Sequence, residues 1–394
     1  VVFFAQGQHI ALDLVGGNSA GRPRLVGMPH LLEGGGAPAV FYELLQAVRE
    51  AEPEIPILVV SGTAREEAIS KFAALGVDVL IVPHPNCVYR FAPGDVLLLN
   101  SRGHDFVDYT QLFGGPLKDA LSHIFWYVHE SDPEFLLGEL KKQVSDLLNA
   151  GKMHFLTPAL QAARNYREYF NNQEAVQVQG FRSLPPFRRT LEASAFSEKL
   201  TGVLVGDESK GRKGHATIGY AYLSLLDQYV SKDPKLYRKP HLNFVGIGEL
   251  PLWLSQVCEQ LNNAFGKKFV PYGVLPKDKC LSVIFNSNMT ICASYMECLP
   301  NSVFEGMFAG HPLVRNGCSG VDEQLIDGEN GYLFNDKSFK SVVQTLERIH
   351  NREKTSDEKL AAMSAKSLEI AMKQEQNSFD PIVKQIESYL SVSK

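Results

Sequence analysis

The sequence predicts an α/β protein of two doubly wound, parallel-sheet domains in series. Short β-branched or leucine-rich runs alternate with longer helical patterns, which is the signature of a parallel sheet covered by helices on both faces. The alternation breaks once, at a polar, proline-containing stretch over 180–190, and then restarts. A length of 394 residues is too great for one ordinary core and suits two of moderate size.

In the first half, strands are expected at 24–28, 57–61, 77–83, 96–100, 124–129 and 153–157, with helices at 39–50, 64–75 and 133–149. The last helix has Ser131 or Asp132 as its N-cap and Pro133 at its first position. After the linker, strands are expected at 200–206, 241–246, 268–272, 290–295, 313–315 and 331–334. Helices are expected at 216–230, 252–265 and 303–309, and a helical tail runs from about 338 to 390. The expected domains are therefore 1–190 and 191–376, followed by a C-terminal helix at 377–394 that can return to the first domain. In such a fold the ligand crevice lies at the carboxyl ends of the strands, here facing a cleft between the domains.

Composition narrows the function. An apolar fraction of 44% describes a globular chain, and no apolar run reaches the roughly 18–20 residues that a membrane-spanning helix needs. Net charge is −5, which gives no general attraction for nucleic acid. Six cysteines, scattered without CxxC or His/Cys ligand spacing, suit reduced thiols better than a disulfide frame or a zinc site. The chain begins Val1-Val-Phe-Phe4, without a basic segment before an apolar one, and reads as a trimmed chain or a piece of a longer polypeptide. The expected location is cytoplasmic, with peripheral contact to the inner face of the cell membrane left open.

The densest chemistry lies in Ser294-Tyr-Met-Glu297-Cys-Leu-Pro-Asn301-Ser302-Val303-Phe-Glu305-Gly-Met-Phe-Ala-Gly310-His-Pro312. A strand ends, a loop carries Glu297, and a helix starts near Ser302. Free N–H groups and the positive dipole end make a helix start an anion site. A carboxylate accepts two hydrogen bonds at once, so Glu297 and Glu305 suit the paired hydroxyls of a ribose or hexose. Taken alone, the same residues also read as a capping box, with Glu305 returning to its own helix start, and as a solvated loop glutamate. Other features are the Gly34-Gly35-Gly36 run between a strand and a helix, and His129 at a strand's carboxyl end. His30, His84 and His104 lie in loops, and nothing in the sequence ranks them higher. Lys210, Arg212 and Lys213 form a basic loop between a strand and a helix. No Asp-x-Asp or Walker loop occurs.

Glu297-x7-Glu305, the small-residue helix ending Gly310-His-Pro312, Gly320-Val-Asp-Glu323 and Asp327-Gly-Glu-Asn330-Gly331 occur in the order and spacing of a known family. In these motifs the chain resembles the retaining glycosyltransferases of family four, enzymes of the GT-B fold with two Rossmann-like domains. The likeness is good over about 200–334 and loose before it. It implies donor binding by the second domain, with Glu305 on the ribose, Glu297 on the donor sugar, and the backbone of Asn301, Ser302 and Val303 on the distal phosphate. It further implies base packing on Val274 and Leu275, a diphosphate clamp including Lys213, a glycine loop over the donor, and His129 near the reacting centre. Asp207 stands where the family has an arginine, so Lys210 or Arg212 is expected to substitute. The implied activity is metal-independent transfer of a sugar from a nucleoside-diphosphate sugar to a glycan or glycolipid hydroxyl, as in cell-envelope polysaccharide synthesis, with no cofactor. A nucleotide-sugar epimerase and a non-catalytic module of a larger assembly protein are the competing readings.

Overall fold

In the computed structural model the described residues are 11–14, 22–32, 36–82, 88–101, 106–115, 119–178, 185–207, 212–226, 235–246, 251–266, 268–295, 297–318, 320–334, 338–375 and 379–391. The chain divides into two compact units: Val1–Ser183 with Asn377–Lys394, and Leu184–Gln376.

The first unit runs β1 (Ala11–Asp13), β2 (Leu25–Pro29), α1 (Gly36–Ala51), β3 (Ile57–Ser61), α2 (Glu66–Ala74), β4 (Asp78–Ile81), β5 (Val88–Arg90), β6 (Val96–Asn100) and α3 (Tyr109–Gly114). It continues through β7 (His123–Tyr127), α4 (Pro133–Leu137), α5 (Lys141–Asn149), β8 (Met153–Thr157), α6 (Leu160–Phe170) and β9 (Val176–Val178). The main sheet has the order β4-β3-β2-β6-β7-β8-β9, with every pair parallel, and β1 pairs separately with β5. Every residue of β2 and β6 is buried, as expected of central strands covered on both faces. Helix α1 buries Val40, Phe41, Leu44, Leu45 and Val48, a single helical stripe, against this sheet.

The second unit runs β10 (Lys199–Val205), α7 (His215–Ser224), β11 (Lys239–Val245), α8 (Leu252–Phe265), β12 (Phe269–Pro271), α9 (Lys277–Phe285), β13 (Met289–Cys292) and α10 (Asn301–Phe308). Then come β14 (Leu313–Asn316), α11 (Val321–Gln324), β15 (Gly331–Phe334), α12 (Phe339–His350) and α13 (Asp357–Glu375). Its sheet, again wholly parallel, has the order β12-β11-β10-β13-β14-β15. The final helix, α14 (Asp380–Ser391), belongs to the first unit. Its Ile382, Val383 and Ile386, with Phe379 just before it, share one buried cluster with the apolar stripe of α1.

Several expectations need correction. The helix expected over 133–149 is broken: Gly138 takes φ +49 and a 3₁₀ turn over Gly138–Leu140 separates α4 from α5. Asp132, not Ser131, caps α4, its carboxylate accepting from Glu134 N at 3.0 Å. Strand β7 stops at Tyr127, so His129 lies two residues beyond it. Helix α9 was not expected. The second half of the supposed linker is built into the second unit. Arg189 N donates to the Phe308 carbonyl at 3.1 Å, its guanidinium donates to the carbonyls of Ala309 (3.0 Å) and Phe285, and Leu191 N donates to Ser364 Oγ at 2.7 Å. Residues 180–184 of that stretch lie outside the described residues.

Candidate functional site

In the second sheet the strand order reverses between β10 and β13. The loops that leave these two neighbours therefore meet at one carboxyl edge, where open α/β sheets bind ligands. The two loops are tied together by Tyr295 N donating to the Arg212 carbonyl at 3.0 Å. Gly214 precedes α7 in the left-handed region at φ +77, and a Cβ there would lie 2.5 Å from the Ala293 carbonyl oxygen. The aliphatic stem of Lys213 lies over Gly206, where a Cβ would come within 2.7 Å of Lys213 Cγ and Cδ. These close approaches carry the Lys213 ammonium to Glu297 Oε1, and Arg212 Nη1 stands 3.8 Å from the same oxygen. Side-chain exposures of 15% for Lys213 and 11% for Glu297 rule out a solvated loop pair.

Helix α10 begins beside Glu297. Its N-cap is Pro300, and no side chain caps the helix start. The capping box is therefore not formed. The buried Glu305 carboxylate turns instead to the Lys277 ammonium, at the first position of α9. Two carboxylates eight positions apart thus stand by an uncapped helix start, each engaged by a different lysine. Asn301 and Ser302 are half-buried at that start, with the N–H groups that a helix leaves unbonded in its first turn. Val303 differs: its side chain is in the core and its N–H is taken by the Pro300 carbonyl at 3.1 Å. The same carbonyl accepts from the buried Gln324 amide at 3.2 Å. Arg315 in turn holds Gln324, so α11 braces the start of α10.

Near Glu305, Gly273 accepts from Gly246 N at 3.1 Å, fixing the turn that carries the expected base-packing residues. They part company. Val274 is 61% exposed and open to a ligand, whereas Leu275 packs on a cluster with Val245, Cys280 and Ile284. Asp207, the departure from the family pattern, is exposed just past β10. Lys210 lies outside the described residues.

The first sheet has its own reversal, between β2 and β6. There His30 follows β2, Gly36 opens α1, and Asn100 ends β6; Gly34, Gly35, His84 and His104 lie outside the described residues. The buried Asn100 amide donates to the Ala37 carbonyl at 3.1 Å, and its Oδ1 lies 2.9 Å from His129 Nε2. Glu130 closes the loop, accepting from Ser101 Oγ at 2.6 Å and from His129 N at 3.1 Å. Ser101 holds the left-handed region at φ +64, with its N–H on the Tyr127 carbonyl and its own carbonyl accepting from the Trp126 indole. Burial, and next the nearby His30, push His129 down to about 3, and burial also lowers His30. Both rings are therefore neutral at pH 7.

Sequence reasoning missed Lys277, Asn100 and Glu130 as members of these edges. A polar residue ending the apolar run 96–100 was a usable signal for Asn100; for Lys277 there was none without α9. Among the described residues, no group of three or more His, Cys, Asp or Glu is placed to hold a metal ion. Nor is any described helix long and apolar enough to cross a membrane.

Residues 210–367, about two fifths of the chain and most of the second unit, match the family described as glycosyl transferases group 1. The second unit is thus similar in sequence to a group 1 glycosyltransferase domain. Solved structures extend the likeness in fold to the whole chain, as a GT-B protein of two Rossmann-like units. Anabaena HepE in complex with UDP-glucose aligns at TM-score 0.63 and 12% identity, covering 94% of this chain and 99% of that one. A glycosyltransferase from Rickettsia africae aligns at TM-score 0.63 and 13% identity over 94% and 99%. Sucrose-phosphate synthase from Thermosynechococcus elongatus aligns at 0.62 and 14% over 93% and 98%. No curated protein sequence matches the chain. The family match and the fold together support a glycosyltransferase.

Proposed function

We propose that this protein is a glycosyltransferase that transfers a sugar, with retention of anomeric configuration, from a nucleoside-diphosphate sugar to a hydroxyl of a glycan or glycolipid. The observation that carries the reading is the pair Glu297 and Glu305 beside the uncapped start of α10, each already engaged by a lysine. In this reading Glu305 takes the ribose diol and Glu297 the hydroxyls of the donor sugar. The first N–H groups of α10, at Asn301 and Ser302, receive the distal phosphate. Val274 packs on the base.

Cleavage of the sugar–phosphate bond builds charge on the departing diphosphate. Lys213 and the helix start are fixed positive groups near where that charge grows, and they lower the barrier without reorganising. The sugar becomes oxocarbenium-like, and the acceptor hydroxyl enters from the face the phosphate leaves, giving up its proton to the departing diphosphate oxygen as the new bond forms. On binding, the diphosphate draws the Lys213 ammonium from Glu297, which frees that carboxylate for the sugar. In the same reading the first unit binds the acceptor. No metal and no cofactor enter this scheme. The complex of HepE with UDP-glucose makes UDP-sugars the first donors to test.

The test is release of nucleoside diphosphate from UDP-glucose and other UDP-, GDP- and dTDP-sugars in the presence of envelope glycan and glycolipid acceptors, with product anomers assigned by NMR. Acceptor-dependent release with retained configuration is expected from one donor class. Conversion of a donor to its epimer without an acceptor, or no release from any donor, would overturn the reading.

A further inference from the structure

We infer that Asn100 is a positioning residue that fixes the tautomer of His129 with the proton on Nε2, so that Nδ1 meets its ligand as a hydrogen-bond acceptor only. Asn100 is 1% exposed, and its two ends face different partners: the Ala37 carbonyl oxygen at 3.1 Å and His129 Nε2 at 2.9 Å. A carbonyl oxygen accepts and never donates, so the end facing Ala37 must be the NH₂ group. The end facing His129 is then the amide oxygen, also an acceptor, and Nε2 must supply the hydrogen. In a neutral imidazole with Nε2–H, the lone pair sits on Nδ1. The ring is kept neutral by its surroundings, which bury it beside His30.

The polarity of this group has a chemical consequence, which rests on the proposed transfer reaction. An acceptor-only nitrogen repels phosphate oxygens and carboxylates and takes a hydroxyl that donates to it. At that nitrogen His129 suits a donating hydroxyl, such as a sugar supplies, and not a phosphate oxygen. Asn100 itself touches no substrate in this account. It couples the start of α1, through Ala37, to the orientation of the His129 ring.

The experiment is a long-range ¹H–¹⁵N correlation spectrum of the full chain labelled with ¹⁵N-histidine, at pH 7.5. His350 is an internal reference of the opposite kind, because its Nδ1 lies 3.2 Å from the Arg238 carbonyl and its Nε2 lies 3.1 Å from the Tyr222 hydroxyl. The wild type is expected to show His129 protonated on Nε2 and His350 on Nδ1. In Asn100→Leu, His129 loses its single tautomer and the His350 signals, which report the fold of the second unit, stay. Thermal unfolding followed by Trp126 fluorescence in a Trp253→Phe background reports whether the first unit remains folded in the variant. A wild-type His129 protonated on Nδ1, or on both nitrogens, would overturn the inference without any variant. An unchanged His129 pattern in a folded Asn100→Leu protein would do the same. None of these outcomes depends on turnover, so a failed transfer assay leaves this result standing on its own.

Discussion

Replacing Gly306 by alanine tests whether the seat of α10 on its strand sets both stability and the donor site. The added Cβ would fall 2.9 Å from Thr290 Cβ and 3.2 Å from Thr290 Cγ2, and well inside contact of Thr290 Oγ1. Thr290 cannot easily turn aside. It is 3% exposed, its hydroxyl bonds His311 Nδ1 at 2.9 Å, and its strand is paired on both sides, with β10 and β14. Either α10 lifts from β13 or the Thr290–His311 bond breaks. Overpacking a close-packed core by one carbon costs about 1–3 kcal/mol. Exchanging glycine for alanine inside a helix returns about 1 kcal/mol. The net expectation is a loss of about 0–2 kcal/mol, read as a lower urea midpoint at unchanged slope. A lifted α10 also carries Glu305 and the helix start away from their places, so UDP binding by calorimetry weakens several-fold. Thr290→Ala in the same chain removes the hydroxyl and makes the two losses less than additive. A Gly306→Ala protein as stable as the wild type, with unchanged affinity for UDP, would refute the packing argument.

Three further outcomes are expected. Lys213→Gln lowers the turnover of the donor by about 10²–10³-fold, the usual loss for one fixed group that stabilises growing charge. Its unfolding midpoint changes little, because Arg212 remains 3.8 Å from Glu297; a rate within threefold of wild type contradicts the role. Gly214→Ala, whose φ of +77 and 2.5 Å approach to the Ala293 carbonyl both oppose a side chain, destabilises the second unit and weakens turnover together, as urea and rate measurements would show. Stability falls as the pH drops from about 6.5 towards 3. Burial pushes His311 and His350 down to about 3, so below their ordinary value of 6.5 the unfolded chain takes up protons that the folded chain refuses. Each such histidine contributes a slope of up to roughly 1.4 kcal/mol per pH unit inside that window. Urea midpoints at pH 5.5 and 7.5 check this, and a His350→Gln protein should show the shallower dependence.

Much of the architecture was legible because a buried parallel strand is a short apolar run between helical periods, as at 57–61, 96–100 and 331–334. Strands of three residues, such as β1, β5 and β9, carry too few side chains to stand out from loops. The break at Gly138 was hidden because apolar periodicity continues across it, and only the backbone angle reveals the turn. At the site, the spacing of Glu297 and Glu305 was readable, but not that a lysine from α9 would claim Glu305 and leave the capping box unmade. Long-range pairs of this kind depend on where the sheet brings distant loops together. The Asn100–His129 contact is another, joining the ends of adjacent strands 29 positions apart.

Binding of a nucleoside diphosphate by the second unit, through Glu305 at the start of α10, is tested by calorimetric titration of the wild type and of Glu305→Ala with UDP. Each hydrogen bond to a charged group contributes about 1.5–3 kcal/mol, so loss of the diol contact predicts binding weakened by at least about tenfold. The wild type is expected to give a saturable isotherm with one site, and the folded variant to bind at least that much more weakly. Equal affinity in the two proteins would contradict it.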